Sequence, residues 1–237
     1  MFPPDLERTK DRLYAAFAHH RLPPDMEACD HCVDPAEVEL FRCTPLRDLA
    51  PDQLGTYLSN PGTWGDGTEL PHLVPRLLEG YAIGEMADWW SPETVACRIE
   101  QRWRDWSPAE RSAVEEFFRA WWRWTLTSCP ATNPAWDLLE AVASLGLDVG
   151  GYLADFAELS GEEPARHLAE VLDSWAWGGL LPEDAKRVVG RWLVAGTPAR
   201  LLWEAAVTSA PSPVADELTK AAELADLLRG ALADEGV

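Results

Sequence analysis

Apolar residues return every three to four positions through most of this chain, and no stretch alternates apolar with polar residues for the length of a strand. Val114, Phe117, Phe118, Trp121, Trp122 and Thr125 follow the i, i+3, i+4, i+7, i+8 rule, and Trp124 widens their face. This predicts a helix from about 108 to 127 that is central and covered on more than one side. The same spacing recurs in Leu168, Val171, Leu172 and Trp175, in Val188, Val189, Trp192 and Leu193, and in Leu218, Ala221, Leu224, Ala225, Leu228 and Leu232.

Most of the 19 prolines mark where helices begin rather than where they break. Proline is tolerated at the first helical position because the N–H it lacks has no partner there, and a preceding Ser, Thr, Asp or Asn caps the turn. Asp34-Pro35, Thr44-Pro45, Ser91-Pro92, Ser107-Pro108, Asn133-Pro134, Thr197-Pro198 and Ser212-Pro213 all fit. Ser107-Pro108-Ala109-Glu110 and Asp34-Pro35-Ala36-Glu37 also carry a carboxylate three residues after the cap, the spacing of a capping box.

Two segments resemble each other. An apolar helix ends at Gly146 or Gly196, and a second helix starts within a few residues, carrying Tyr152 and Phe156 or Leu201, Leu202 and Trp203. This is the pattern of an antiparallel helical hairpin, at an offset near the period of HEAT or armadillo repeats. The predicted fold is therefore all-α, an irregular α-α hairpin bundle or a short HEAT-like superhelix. A change of texture near residue 105 divides it into an N-terminal helical module, 1–105, and a tryptophan-rich body, 106–237, which are also compatible with one continuous domain.

Charge narrows the partners. Forty acidic residues against 20 basic ones give a net charge of -20, which repels nucleic-acid backbones and anionic headgroups, and no basic patch opposes it. A basic protein partner suits this field; nucleic acid and membrane do not. The first residues lack the basic-then-apolar pattern of a secretory signal, and no apolar run is long enough to span a bilayer, so a cytoplasmic location is expected.

Chemistry concentrates in one place. Cys29 and Cys32 form a Cys-x-x-Cys knuckle whose turn brings two sulfurs toward one ion, and Cys43 follows as a third thiol. His31, His72, His19 or His20 completes the set of candidate ligands, and a structural zinc would pin a loop that has few large apolar residues. A reactive dithiol and plain reduced thiols are the alternatives. Cys97 and Cys129 read as small buried hydrophobes. The glycine-rich loop Asn60–Gly67 offers Asp66 but lacks the lysine of a phosphate loop, so a turn with Trp64 tucked inward is the simpler reading. Most of the 13 tryptophans sit on apolar helical faces, with Trp89, Trp90 and Trp177 the ones to inspect for exposure. His167 lies beside a helical stripe, and no recognisable catalytic motif accompanies it.

The segments Cys29-Asp30-His31-Cys32-Val33 to Thr44-Pro45-Leu46-Arg47, Thr63-Trp64-Gly65-Asp66, Leu73-Val74-Pro75-Arg76-Leu77-Leu78 and Arg166-His167-Leu168-Ala169 together resemble uncharacterised bacterial all-helical proteins. These carry an N-terminal Cys-x-Cys-Cys or Cys-x-His-Cys element. The resemblance spans about half the chain, implies His31 as a ligand, and brings no established activity.

The sequence thus points to a non-enzymatic interaction scaffold, adaptor or immunity-type protein with a structural zinc on Cys29, His31, Cys32, Cys43 and His72, binding a basic partner. A contrasting expectation is a metal-dependent hydrolase in which the same cluster leaves a position for water and Asp66 or a nearby acid acts as base. An acidic mimic of DNA is a third.

Overall fold

The computed structural model describes residues 2–24, 26, 28, 29, 31–59, 63–86, 90–179 and 181–235. Among them the protein is all-helical, with an isolated bridge between Ala28 and Trp64 and no strand. The backbone forms two compact units, Met1–Ala120 and Trp121–Val237, and the division falls inside one long helix.

The first unit holds α1 (Pro4–Ala16), α2 (Pro35–Cys43), α3 (Pro51–Ser59), α4 (Leu70–Ala82), α5 (Pro92–Arg102) and the start of α6 (Pro108–Leu126). Helix α4 is its hub, since Leu70, Leu73, Val74, Leu77, Leu78, Tyr81 and Ala82 are buried around most of its circumference, and it packs on both α1 and α5. Three of the proline starts carry the expected cap, at Asp34, Ser107 and Ser212, whereas Ser91 makes no cap bond, Pro134 is itself the cap of the helix Ala135–Ser144, and Thr197 lies inside the helix Thr197–Ser209 behind Gly196. Asp34 accepts from the Ala36 N–H at 2.8 Å, and in the Ser107 box the Glu110 N–H donates to Ser107 Oγ at 3.3 Å while Glu110 Oε2 accepts from the Ser107 N–H at 2.7 Å. Thr44-Pro45 opens only a single 3-10 turn, Leu46–Asp48.

The second unit continues with α7 (Ala135–Ser144), α8 (Val149–Leu159), α9 (Glu162–Ala176), α10 (Glu183–Val194), α11 (Thr197–Ser209) and α12 (Pro213–Glu235). The two expected hairpins are α7 with α8 and α10 with α11. Gly146 and Gly196 turn them with φ of +69° and +75°, a left-handed conformation that side chains with a Cβ resist. A solenoid would let each helix pair touch only its sequence neighbours. Here α12 packs on α9, α10 and α11, and α9 packs on α7 and α11, so the helices close into a bundle.

Its core is aromatic. Trp122 is fully buried, donates Nε1–H to the Tyr152 carbonyl at 3.0 Å, and meets Phe156 edge-on with ring centroids 5.5 Å apart; Phe156 also stacks on Trp192. Asp155 is also fully buried, with Oδ1 2.5 Å from Arg123 Nη1. Of the tryptophans, Trp64, Trp106, Trp121, Trp122 and Trp136 are buried, whereas Trp90, Trp177 and Trp203 are exposed, Trp177 to 86%. Trp89 lies outside the described residues.

Trp122→Ala removes a fully buried tryptophan of the second unit along with its hydrogen bond, and we expect a loss of about 3–5 kcal/mol in denaturant titration. His167 is buried with Nε2 donating to the Ser128 carbonyl at 2.8 Å and Nδ1 3.4 Å from Glu170 Oε2. Burial opposes its charged form, but the bonds to Glu170 and Ser128 outweigh burial and raise its pKa. A raised folded pKa gives stability that is fully present below the unfolded value, about 6.5, and is lost as pH rises through the folded one. The stability gap between the parent and His167→Gln should therefore be wide at low pH and narrow on alkaline titration; a gap that widens with pH would contradict the charged native state.

Candidate functional site

The cysteine loop is tied down by apolar contacts that its composition does not advertise. Met26 and Val33 are buried with Phe41 and Trp64, whose rings lie 5.2 Å apart, and the Cys29 N–H donates to the Thr63 carbonyl at 2.8 Å. The loop following Trp64 is in turn organised by Glu69, a buried carboxylate that the sequence reading passed over. Its oxygens accept from Tyr57 Oη at 2.9 Å and from the Gly67 N–H at 3.1 Å. Gly65, at φ +60°, leaves room for that carboxylate where a Cβ would overlap it. Asp66 is committed to an ordinary turn, accepting from Thr68 N–H at 3.0 Å and Thr68 Oγ–H at 2.6 Å, and these bonds hold its carboxyl below the usual range. Residues 60–62 of this loop lie outside the described residues.

The five expected ligands separate into local groups. Cys29 and Cys32 sit together across one turn, with the Cys32 N–H donating to the Cys29 carbonyl at 2.9 Å, and both are exposed, as is His31 between them. Cys43 ends α2, and its thiol donates to Glu39 Oε1 at 3.0 Å. His72 lies on α4, and its Nδ1 is 3.2 Å from the His20 carbonyl. Among the described residues, no three of these five bring their ligand atoms within 4.8 Å of one another. Hydrogen bonding and charge from Cys29 push the Cys32 thiol up, and Glu39 does the same to Cys43. Both sulfurs are thus held as thiols, the less nucleophilic form. Cys97 is exposed and Cys129 half-buried, so the small-hydrophobe reading does not describe Cys97.

A different group of three does converge. His19 and His20 follow the last turn of α1, where Phe17 anchors the chain by packing edge-on against Trp106 with centroids 5.0 Å apart. Trp106 directly precedes the cap of α6, so the same packing brings the histidines to Glu110. Glu110 Oε1 lies 2.5 Å from His20 Nε2 and 3.6 Å from His19 Nε2, and the imidazole centroids are 4.1 Å apart. The carboxylate is only 5% exposed, while His19 is 67% exposed. Burial raises the Glu110 pKa, but the Ser107 and His20 hydrogen bonds prevail and hold it below the ordinary glutamate range. Beside His20 and His72 opens a cavity of 710 Å³ that Tyr14, Phe17 and Arg47 also line. The histidines were expected only as alternative ligands for the cysteines. Glu110 was legible as a cap, and nothing in local spacing links it to residues 90 positions earlier.

The second unit carries a separate groove of 490 Å³ between the end of α8, the first turns of α9 and one face of α11. Phe156, Ala165, Leu168 and Ala205 form its buried apolar floor, and exposed Glu162 and Glu204 stand at its rim. Ser209 Oγ donates to Glu162 at 3.1 Å, and Arg200 pairs with Glu204 at 2.8 Å.

Compared with protein-family models, curated proteins and solved structures, the chain matches none. No helix among the described residues is long and apolar enough to cross a membrane.

The thiol chemistry is directly measurable. Alkylation of Cys43 by iodoacetamide at neutral pH should be slow and should accelerate about two- to threefold in Glu39→Gln, which removes the carboxylate that favours the thiol. Equal rates in the two proteins would show that Glu39 does not control this sulfur.

Proposed function

We propose that this is a non-enzymatic binding protein whose second unit seats a basic, amphipathic segment of a partner protein. The observation that carries this reading is the α8–α9–α11 groove, where an apolar floor lies between Glu162 and Glu204. An amphipathic segment buries its apolar side chains on such a floor and sets Lys or Arg against the two carboxylates. The surrounding field acts in the same direction, since a chain with 40 acidic and 20 basic residues draws cationic partners and repels anionic ones. The Arg200 pair offsets part of the charge of Glu204, whereas the Ser209 hydroxyl holds Glu162 without offsetting its charge.

The hydrolase alternative has weaker support. Its named base, Asp66, is engaged by Thr68, and among the described residues no three of its proposed ligands bring their ligand atoms within 4.8 Å of one another.

A helical peptide carrying Leu and Lys at i, i+3, i+4 spacing tests the binding reading. We expect saturable binding in isothermal titration that weakens with salt, roughly tenfold weaker binding to Glu162→Lys/Glu204→Lys, and no binding of the same peptide with Glu in place of Lys. Equal affinity for the parent and the charge-reversed protein, or no binding at all, would overturn it.

A further inference from the structure

We propose that His19 Nε2, His20 Nε2 and Glu110 Oε1 form a binding site for a divalent transition-metal ion of the zinc class. Two imidazoles and one carboxylate are a donor set that zinc accepts, and three protein ligands leave a fourth tetrahedral position for water or a ligand atom from elsewhere. The three ligand atoms already lie within 4.8 Å of one another.

The geometry is close to what the ion requires. Zinc with bonds of about 2.0–2.1 Å holds tetrahedral ligand atoms about 3.3 Å apart. His19 Nε2 is 3.6 Å from Glu110 Oε1, within a few tenths of that separation. His20 Nε2, at 2.5 Å, must withdraw by about 0.8 Å, a small ring rotation about its side-chain torsions. Both imidazoles address the same carboxylate oxygen, while the other oxygen is engaged by the Ser107 N–H. The cap therefore fixes the orientation of the carboxylate before any ion arrives, which is how an outer-shell hydrogen bond pre-organises a metal ligand. On the histidine side, the His20 carbonyl accepts from Arg21 at 2.8 Å and faces His72 Nδ1 at 3.2 Å, which holds the backbone of the ligand pair. Phe17 and Trp106 supply an apolar wall that lowers local polarity.

The site is distinct from Cys29 and Cys32, so the two can be separated by mutation. Native mass spectrometry of the full chain with added zinc should show a bound ion in the parent and in Cys29→Ser/Cys32→Ser, and roughly tenfold or greater loss of affinity in His19→Ala and in Glu110→Gln. His19 is exposed, so its alanine variant keeps the fold, and glutamine at 110 retains an acceptor for the Ser107 N–H; equal thermal midpoints to the parent verify both. Cobalt substituted for zinc should give a spectrum without thiolate charge-transfer bands. A parent that binds no zinc, a His19→Ala protein that binds it as tightly as the parent, or loss of the ion in Cys29→Ser/Cys32→Ser would overturn the assignment.

Discussion

The first unit depends on how the chain enters α6. Ser107 and Glu110 satisfy each other's backbone donors, which fixes the start of the helix and with it Trp106 one residue earlier. Trp106 meets Phe17, the residue at which α1 stops, so two elements distant in sequence are brought together by one aromatic contact and one cap. The carboxylate that completes the cap has a second oxygen to place, and the turn after α1 delivers two imidazoles to it. A single glutamate therefore serves as both helix cap and acceptor, and replacing it by alanine would leave the Ser107 N–H and His20 Nε2 without their partner at once.

The second unit solves a different problem. Its helices are short and individually weak, and they gain stability by closing on α12 rather than by stacking in a row. Asp155 on α8 is completely buried, and the Arg123 guanidinium beside it compensates a charge that would otherwise be costly to remove from water. The acidic surplus elsewhere is on the surface, where it costs little individually and shapes what can approach. The groove we propose as a docking site has carboxylates on its rim and apolar carbon on its floor, so it selects for charge and hydrophobicity together.

Helix content and helix starts were legible because they are local. Proline after a capping residue, a carboxylate three positions on, and glycine at the end of an apolar run act within one turn, and Ser107, Glu110, Gly146 and Gly196 behave accordingly. The apolar stripe from Val114 to Trp122 marked a buried helix for the same reason. Tertiary closure was not legible. The hairpin resemblance could not show that α12 returns to cover α9, α10 and α11, since that depends on long-range packing. Local spacing predicts that Trp64 tucks inward but not that it meets Phe41 beside the cysteine loop, because both residues lie beyond that loop in the chain. Likewise the meeting of His20 with Glu110 joins residues 90 positions apart through Phe17 and Trp106, a contact that no periodicity encodes.

What emerges is a protein with a dipositive-ion site proposed in one unit and a cation-selective groove proposed in the other, both built around glutamate carboxylates. The glutamate shared by cap and imidazoles is the element on which the metal assignment rests. Its most direct test is a crystal structure grown with zinc and recorded on both sides of the zinc absorption edge. The account predicts an anomalous peak bonded to His19 Nε2, His20 Nε2 and Glu110 Oε1; a peak between Cys29 and Cys32 with none at Glu110, or no peak at all, would contradict it.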